Sequence, residues 1–197
     1  MKIALCFHGY FLNSGGDQAA FASWEYLRRK VIKGNDVDVF FHCWEQGDKV
    51  KDMIQHMYDP VRIEYEDQKD FKQEMKSMDQ SWFDDGFNRN DTMYKSNSIF
   101  QTFSFLYSRK RALEIKTEHE KENNFKYDAV ILARTDIGTR GKEHPQTYYV
   151  TNINFDPTLD MSKLYAAYWN QMNWGYADHW FYSSSENMDL VGTAYDK

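Results

Sequence analysis

The sequence predicts a single α/β domain with a mostly parallel central sheet flanked by helices. Two apolar runs, Lys2 to His8 and Ala129 to Ala133, have the unbroken character of strands buried on both faces. Stretches of helical period alternate with further runs of strand character, the rhythm of βαβ units. A chain of 197 residues suffices to bury one core and needs no second domain.

The first strand stops at His8-Gly9-Tyr10. The turn cluster Asn13-Ser14-Gly15-Gly16-Asp17 then starts an amphipathic helix, Ala19 to Lys33, closed by Gly34. Val37 to His42 repeats the strand signal and ends in His42-Cys43-Trp44, so one crossover helix joins two parallel strands. A short helix over Asp48 to Met57, a third strand over Val61 to Tyr65 and another short helix over Lys69 to Met78 follow. Gln80 to Lys95 carries the turn chemistry of a long surface loop, a kind of segment that is often functional.

Asn97 to Glu122 is the longest predicted helix, with Ile99, Phe103, Leu106 and Leu113 on one stripe. Lys110 falls on that stripe, and Arg109 and Arg111 fall on faces expected to be solvated. Two readings of Lys110 stand: its ammonium snorkels outward, or it meets an anion in the cleft beside Asp136. Beyond Gly138 come weak strand signals at Thr147 to Val150 and Leu164 to Tyr168. A ring-rich segment, Trp174 to Tyr182, encloses Asp178 and His179, and Ser184-Ser185-Glu186 starts a last helix through Met188 to Val191.

The net charge of -6 gives no basic excess for a nucleic-acid backbone. No apolar segment is long enough to span a bilayer and no leader pattern opens the chain, so a cytoplasmic protein is the expectation. Cys6 and Cys43 fall in or at the end of predicted strands, which suits reduced thiols used as small hydrophobes. The loop after the first strand lacks G-x-G-x-x-G, and G-x-x-x-x-G-K-[ST] occurs nowhere, which argues against a dinucleotide fold and a P-loop ATPase. Aromatic residues make up 17% of the chain and many lie in polar company; they serve either a ring-packed core or the stacking of sugars and bases.

The run Ala129 to Ala133 breaks off at Arg134-Thr135-Asp136, at the strand edge where open α/β sheets place ligands. Arg134 and Asp136 either pair with each other or carry chemistry. Asp178, among rings, is a candidate general base, and His179 a candidate metal ligand or a structural hydrogen-bonding group.

Taken in order, the segments Lys2 to Gly9, Asp38 to Trp44, Tyr107 to Arg111, Tyr127 to Asp136 and Gly175 to Phe181 resemble the nucleotide-sugar glycosyltransferases of the A-type fold. More narrowly, they resemble small bacterial and viral glycosyltransferase-like proteins of polysaccharide synthesis. The resemblance implies a Rossmann-like nucleotide-binding domain, a nucleotide-sugar donor and a glycan acceptor. It implies that His8, Gly9 and Tyr10 cradle the nucleotide, with Lys110, Arg134 and Asp136 on the diphosphate. It further implies a divalent cation, manganese or magnesium, on Asp136 with His179, and Asp178 as the base. The usual motif is Asp-x-Asp, whereas here Arg134 replaces the first carboxylate, so a guanidinium is available for bidentate contact with diphosphate.

Two other classes remain open at this stage. One is a non-catalytic carbohydrate- or nucleotide-sugar-binding module of the same fold, and the other a metal-dependent phosphohydrolase using Asp136, which lacks a nucleophile motif on the first strand. The chain is also readable as the amino-terminal part of a longer protein.

Overall fold

The strands are β1 (Lys2–Gly9), β2 (Asp36–Trp44), β3 (Arg62–Glu66), β4 (Ala129–Ala133), β5 (Tyr165–Ala167) and β6 (Ala177–Ser183), joined in one sheet of order β3-β2-β1-β4-β6-β5. This computed structural model describes residues 1–12, 16–77, 99–138, 152–153, 155–167 and 177–196. The expected Gln80 to Lys95 loop, the strand over Thr147 to Val150, Asn13 to Gly15 and the rings Trp174 and Tyr176 lie outside the described residues. Among the described residues no helix is long and apolar enough to cross a membrane.

β1 pairs in parallel with β2 and with β4, and β2 in parallel with β3, whereas β6 runs antiparallel to β4 and to β5. Both apolar runs are therefore interior strands, as expected, and all five β4 residues are buried. Asp128 fixes their register from outside the run. Its carboxylate accepts the Lys2 N–H at 2.6 Å, and its own N–H donates to the Lys2 carbonyl at 2.9 Å.

Helices cover both faces. On one side α1 (Gly16–Leu27), which continues through a π turn over Arg28–Ile32, and α2 (Asp48–Tyr58) pack Leu27, Val31, Val50, Ile54 and Tyr58 against Leu5, Phe7, Phe41 and Ile131. Val50, Ile54 and Tyr58 recur every fourth residue, so one stripe meets the sheet; Asp59, in the left-handed region at φ 43°, ends the helix before Pro60. The short α3 (Lys72–Ser77) follows β3.

On the other face, α4 (Ile99–Asn123) and α5 (Ser185–Gly192), which runs into a 3-10 turn over Thr193–Asp196, pack Ala112, Leu113, Ile115 and Met188 against Ala4, Cys6, Phe40, Val130, Leu132 and Phe181. The Ser184 hydroxyl caps α5 by accepting the Asn187 N–H. Cys6 and Cys43 are free and buried, and burial pushes their thiols up to about 12 and about 11, which leaves them inert.

Tyr182 and its neighbours form strand β6, with Trp180 and Tyr182 entering one core and Phe181 the other, leaving no polar-apolar alternation to mark the strand in the sequence. One expectation is corrected here. The inward face of α4 is not the stripe containing Lys110. Leu113 of that stripe is buried, but the inward face runs along Ser104, Ser108, Ala112, Lys116 and Glu120, spaced four apart and all buried, and its small members let the helix lie close beneath β1.

Candidate functional site

From β1 the chain goes one way to β2 and β3, while β4 lies on the opposite side of β1. The order of the sheet thus reverses between β1 and β4, and a crevice opens at their carboxyl ends, the usual ligand position of open α/β sheets. A cleft of about 430 Å³ occupies this position, lined by His8, Gly9 and Tyr10 after β1, by Arg134, Thr135 and Asp136 after β4, and by Trp44, Gln68, Phe100, Gln101, Ser104 and Phe105. That is room for a small ligand.

Side-chain alternation decides what meets there. Ala4 and Cys6 on β1, Phe40 on β2, Val130 and Leu132 on β4 and Phe181 on β6 all enter the core beneath α4. With a period of two, His8, His42, Arg134 and His179 face the same side. Because β6 is antiparallel, its first residues arrive at the same edge, and the His179 carbonyl accepts the Arg134 N–H at 2.9 Å.

Three residues invisible as site residues in the sequence hold the loops in place. The buried Thr135 hydroxyl bonds the carbonyls of Tyr10 and Phe11 at 3.0 and 3.3 Å, tying the loop after β4 to that after β1. Gln46 accepts the Phe11 and Leu12 N–H groups at 2.8 and 3.1 Å and donates to the Leu12 carbonyl at 2.8 Å. Ser108 accepts the Gly9 N–H at 2.7 Å and lies 2.6 Å from His42 Nδ1. Burial holds His42 down to about 4, so its imidazole is neutral and its unprotonated Nδ1 suits the Ser108 hydroxyl as donor. Gly9 itself sits at φ 93°, a conformation that favours glycine.

Arg134 is the centre of charge. Its Nε and Nη2 donate to Asp136 Oδ1 and Oδ2 at 2.9 and 2.7 Å, and its Nη1 lies 3.5 Å from Asp178 Oδ2. Burial lowers the Arg134 pKa, but Asp136 and then Asp178 more than offset this, so the guanidinium stays charged. His179 Nδ1 lies 3.4 Å from Asp178 Oδ1. Burial, then the positive charge of Arg134, lower the His179 pKa. His8, 5% exposed, is pushed well below the ordinary imidazole range by burial, then by Arg109 and Arg134, and is neutral at pH 7.

His8, Gly9, Tyr10, Arg134 and Asp136 therefore line one cleft, and Asp178 and His179 reach it through Arg134. Asp178 shares the Arg134 guanidinium with Asp136 while its side chain stays half exposed. Lys110 does not join them. It pairs with Asp196 and, at 3.8 Å, with Glu114, beside a separate hollow of about 450 Å³ between α4 and the last helical turns. Arg111, expected to be solvated, is half-buried and bonds both Glu64 oxygens at 2.9 and 2.7 Å. Arg109, also expected to be solvated, is 8% exposed beside the cleft.

A divalent cation needs several oxygen ligands. Both Asp136 oxygens accept N–H groups from Arg134, Asp178 leans on the same guanidinium, and among the described residues no group of three His, Cys, Asp or Glu side chains is placed to hold a metal. The residues do not fit a resident cation on Asp136 and His179, because the guanidinium occupies the space between the carboxylates. No significant match was found to a protein-family model, a curated protein or a solved structure.

Proposed function

We propose that the protein is a glycosyltransferase built on a Rossmann-like nucleotide-binding domain of the A type, moving a sugar from a nucleotide-sugar donor to a hydroxyl of a glycan or other acceptor in the cytoplasm. The observation that carries this reading is the Arg134 guanidinium, buttressed by Asp136 and Asp178 at the strand-order reversal within a ring-lined cleft. A guanidinium fork matches two diphosphate oxygens, and held in a fixed orientation it stabilises the charge that grows there as the sugar leaves.

The bond between the anomeric carbon and the diphosphate oxygen breaks, and its electron pair stays on the diphosphate facing Arg134. The acceptor oxygen forms the new bond to the anomeric carbon and loses its proton to Asp178, whose side chain is 48% exposed and so reachable by an acceptor. Tyr10, 45% exposed, and Phe105 offer ring faces for a base or sugar. Asp136 holds Arg134 in place without touching the reacting atoms.

The closed pairing of Arg134 with two carboxylates also supports a second reading, a binding module that holds a nucleotide sugar without turning it over. Thermal shifts against uridine, guanosine and thymidine diphosphate sugars, followed by assay of nucleoside diphosphate release, separate the two. A ligand at a hundredfold excess over its dissociation constant stabilises the fold by about 2.7 kcal/mol. Binding with release supports the transferase, and binding without release, across a panel of glycan acceptors, supports the module. No shift with any donor overturns both.

A further inference from the structure

We propose that Arg109 is a second anion-binding side chain of this cleft, meeting a phosphate oxygen of the ligand from beneath β1. The inference rests on the reading of the cleft as a nucleotide-diphosphate site and assigns a residue that lies outside the strand-end motif.

Arg109 is 8% exposed, and its guanidinium carbon lies 4.8 Å from the Phe105 ring centroid and 4.6 Å from that of Phe181. Phe105 lines the cleft and stands edge-on to His8 at 5.1 Å, so the guanidinium is one ring away from the cleft wall. Phe181 is on the strand that brings Asp178 and His179 to the same edge.

What singles out Arg109 is that, among the described residues, no carboxylate pairs with it directly, Asp178 acting on it only through its field. The other buried ions, Lys116 and Glu120, pair with each other at 3.1 Å, and Lys116 also meets Asp189 at 2.7 Å. Arg109 Nε is buried with no hydrogen-bond acceptor among the described residues, and the nearby Asp178 is engaged by Arg134 and His179. Two rings hold the cation in place through their faces but accept no N–H bond. A buried, unpaired guanidinium is costly, and a site that receives an anionic ligand accounts for keeping it.

The cation also acts on its neighbour: its charge helps to keep His8 neutral, so that His8 offers the ligand a hydrogen bond without changing charge. Burial pulls the guanidinium down to about 10, which leaves it charged at pH 7.

The test is calorimetric titration of the whole chain with inorganic pyrophosphate, on wild type, Arg109→Met and Arg109→Lys, beside the melting temperature of each without ligand. Loss of a charged hydrogen bond predicts roughly a tenfold to a hundredfold weaker affinity for Arg109→Met. Arg109→Lys keeps the charge and falls between. Without pyrophosphate the Met variant melts at or above the wild-type temperature, because an unpaired buried cation has gone. Unchanged affinity in Arg109→Met, no binding of pyrophosphate to wild type, or a melting temperature lowered in both variants with affinity intact overturns the proposal. Pyrophosphate binding that depends on Arg109 while no nucleotide sugar binds leaves this assignment standing and removes the transferase reading. Donor binding indifferent to Arg109 does the reverse.

Discussion

Arg134 and Asp136, two residues apart at the end of an interior strand, close a two-point ion pair of 2.9 and 2.7 Å. The residue between them points the other way into the protein. Thr135 is buried and bonds the loop after β1, so the guanidinium and the carboxylate are both turned toward the cleft. The three-residue motif therefore divides its labour between holding two loops together and presenting charge.

Thr135→Val removes the hydroxyl and leaves two carbonyls to find water. The expected cost is about 1 kcal/mol, or about 2–4 °C in melting temperature, with Thr135→Ser close to wild type. Thermal unfolding of the two variants checks it. A loss in Thr135→Ser with Thr135→Val unchanged would shift the role from the hydroxyl to the methyl group.

Gly138 is at φ 75°, and a Cβ there would stand 2.1 Å from Tyr26 Cγ. Gly138→Ala combines left-handed strain with overpacking, roughly 2–4 kcal/mol of stability. Adding Tyr26→Ala should recover part of the steric cost, since the ring goes but the residue 26 Cβ still stands against the new methyl, and none of the backbone cost, a non-additivity that a double-mutant cycle measures. An alanine variant as stable as wild type would contradict the geometry of this turn.

His42 makes stability depend on acid. Its folded pKa is about 4, held there by burial, against an ordinary 6.5, so below 6.5 the unfolded chain takes up a proton that the native state refuses. Stability is therefore complete above 6.5 and falls as the pH drops toward 4, by roughly 3 kcal/mol for this group. His8 acts in the same direction. Urea unfolding at several pH values should show the fall, and His42→Gln should flatten it. A slope unchanged in that variant would remove His42 from the account.

The fold was legible where a strand is apolar on both faces, as in Ala129 to Ala133, and where a helix has an apolar stripe, as at Val50, Ile54 and Tyr58. It was not legible at β6, whose rings face two cores at once, nor on α4, where the buried face is serine, alanine and a Lys116–Glu120 pair that neutralises itself. Reading that helix by hydrophobicity selected Lys110, which is paired with Asp196, and passed over Arg109. Thr135 and Tyr10 are 125 positions apart, and no local signal announces such a bond.

Asp178→Asn keeps the shape of the side chain and removes its basicity. Transfer should fall about a hundred- to ten-thousandfold while donor affinity stays within a few fold, read from initial rates and donor titration on the same protein. A fall in affinity of the same size as that in rate would move Asp178 to the donor side, in keeping with its contact to Arg134.

The central claim is that Arg134 receives the diphosphate of a nucleotide sugar. Calorimetric titration of the donor that gives the largest thermal shift, into wild type, Arg134→Gln and Lys110→Met, tests it most directly. The account predicts affinity reduced roughly tenfold to a hundredfold in Arg134→Gln and unchanged in Lys110→Met, whose cation faces Asp196. Full affinity in Arg134→Gln, with the loss appearing in Lys110→Met, would contradict it.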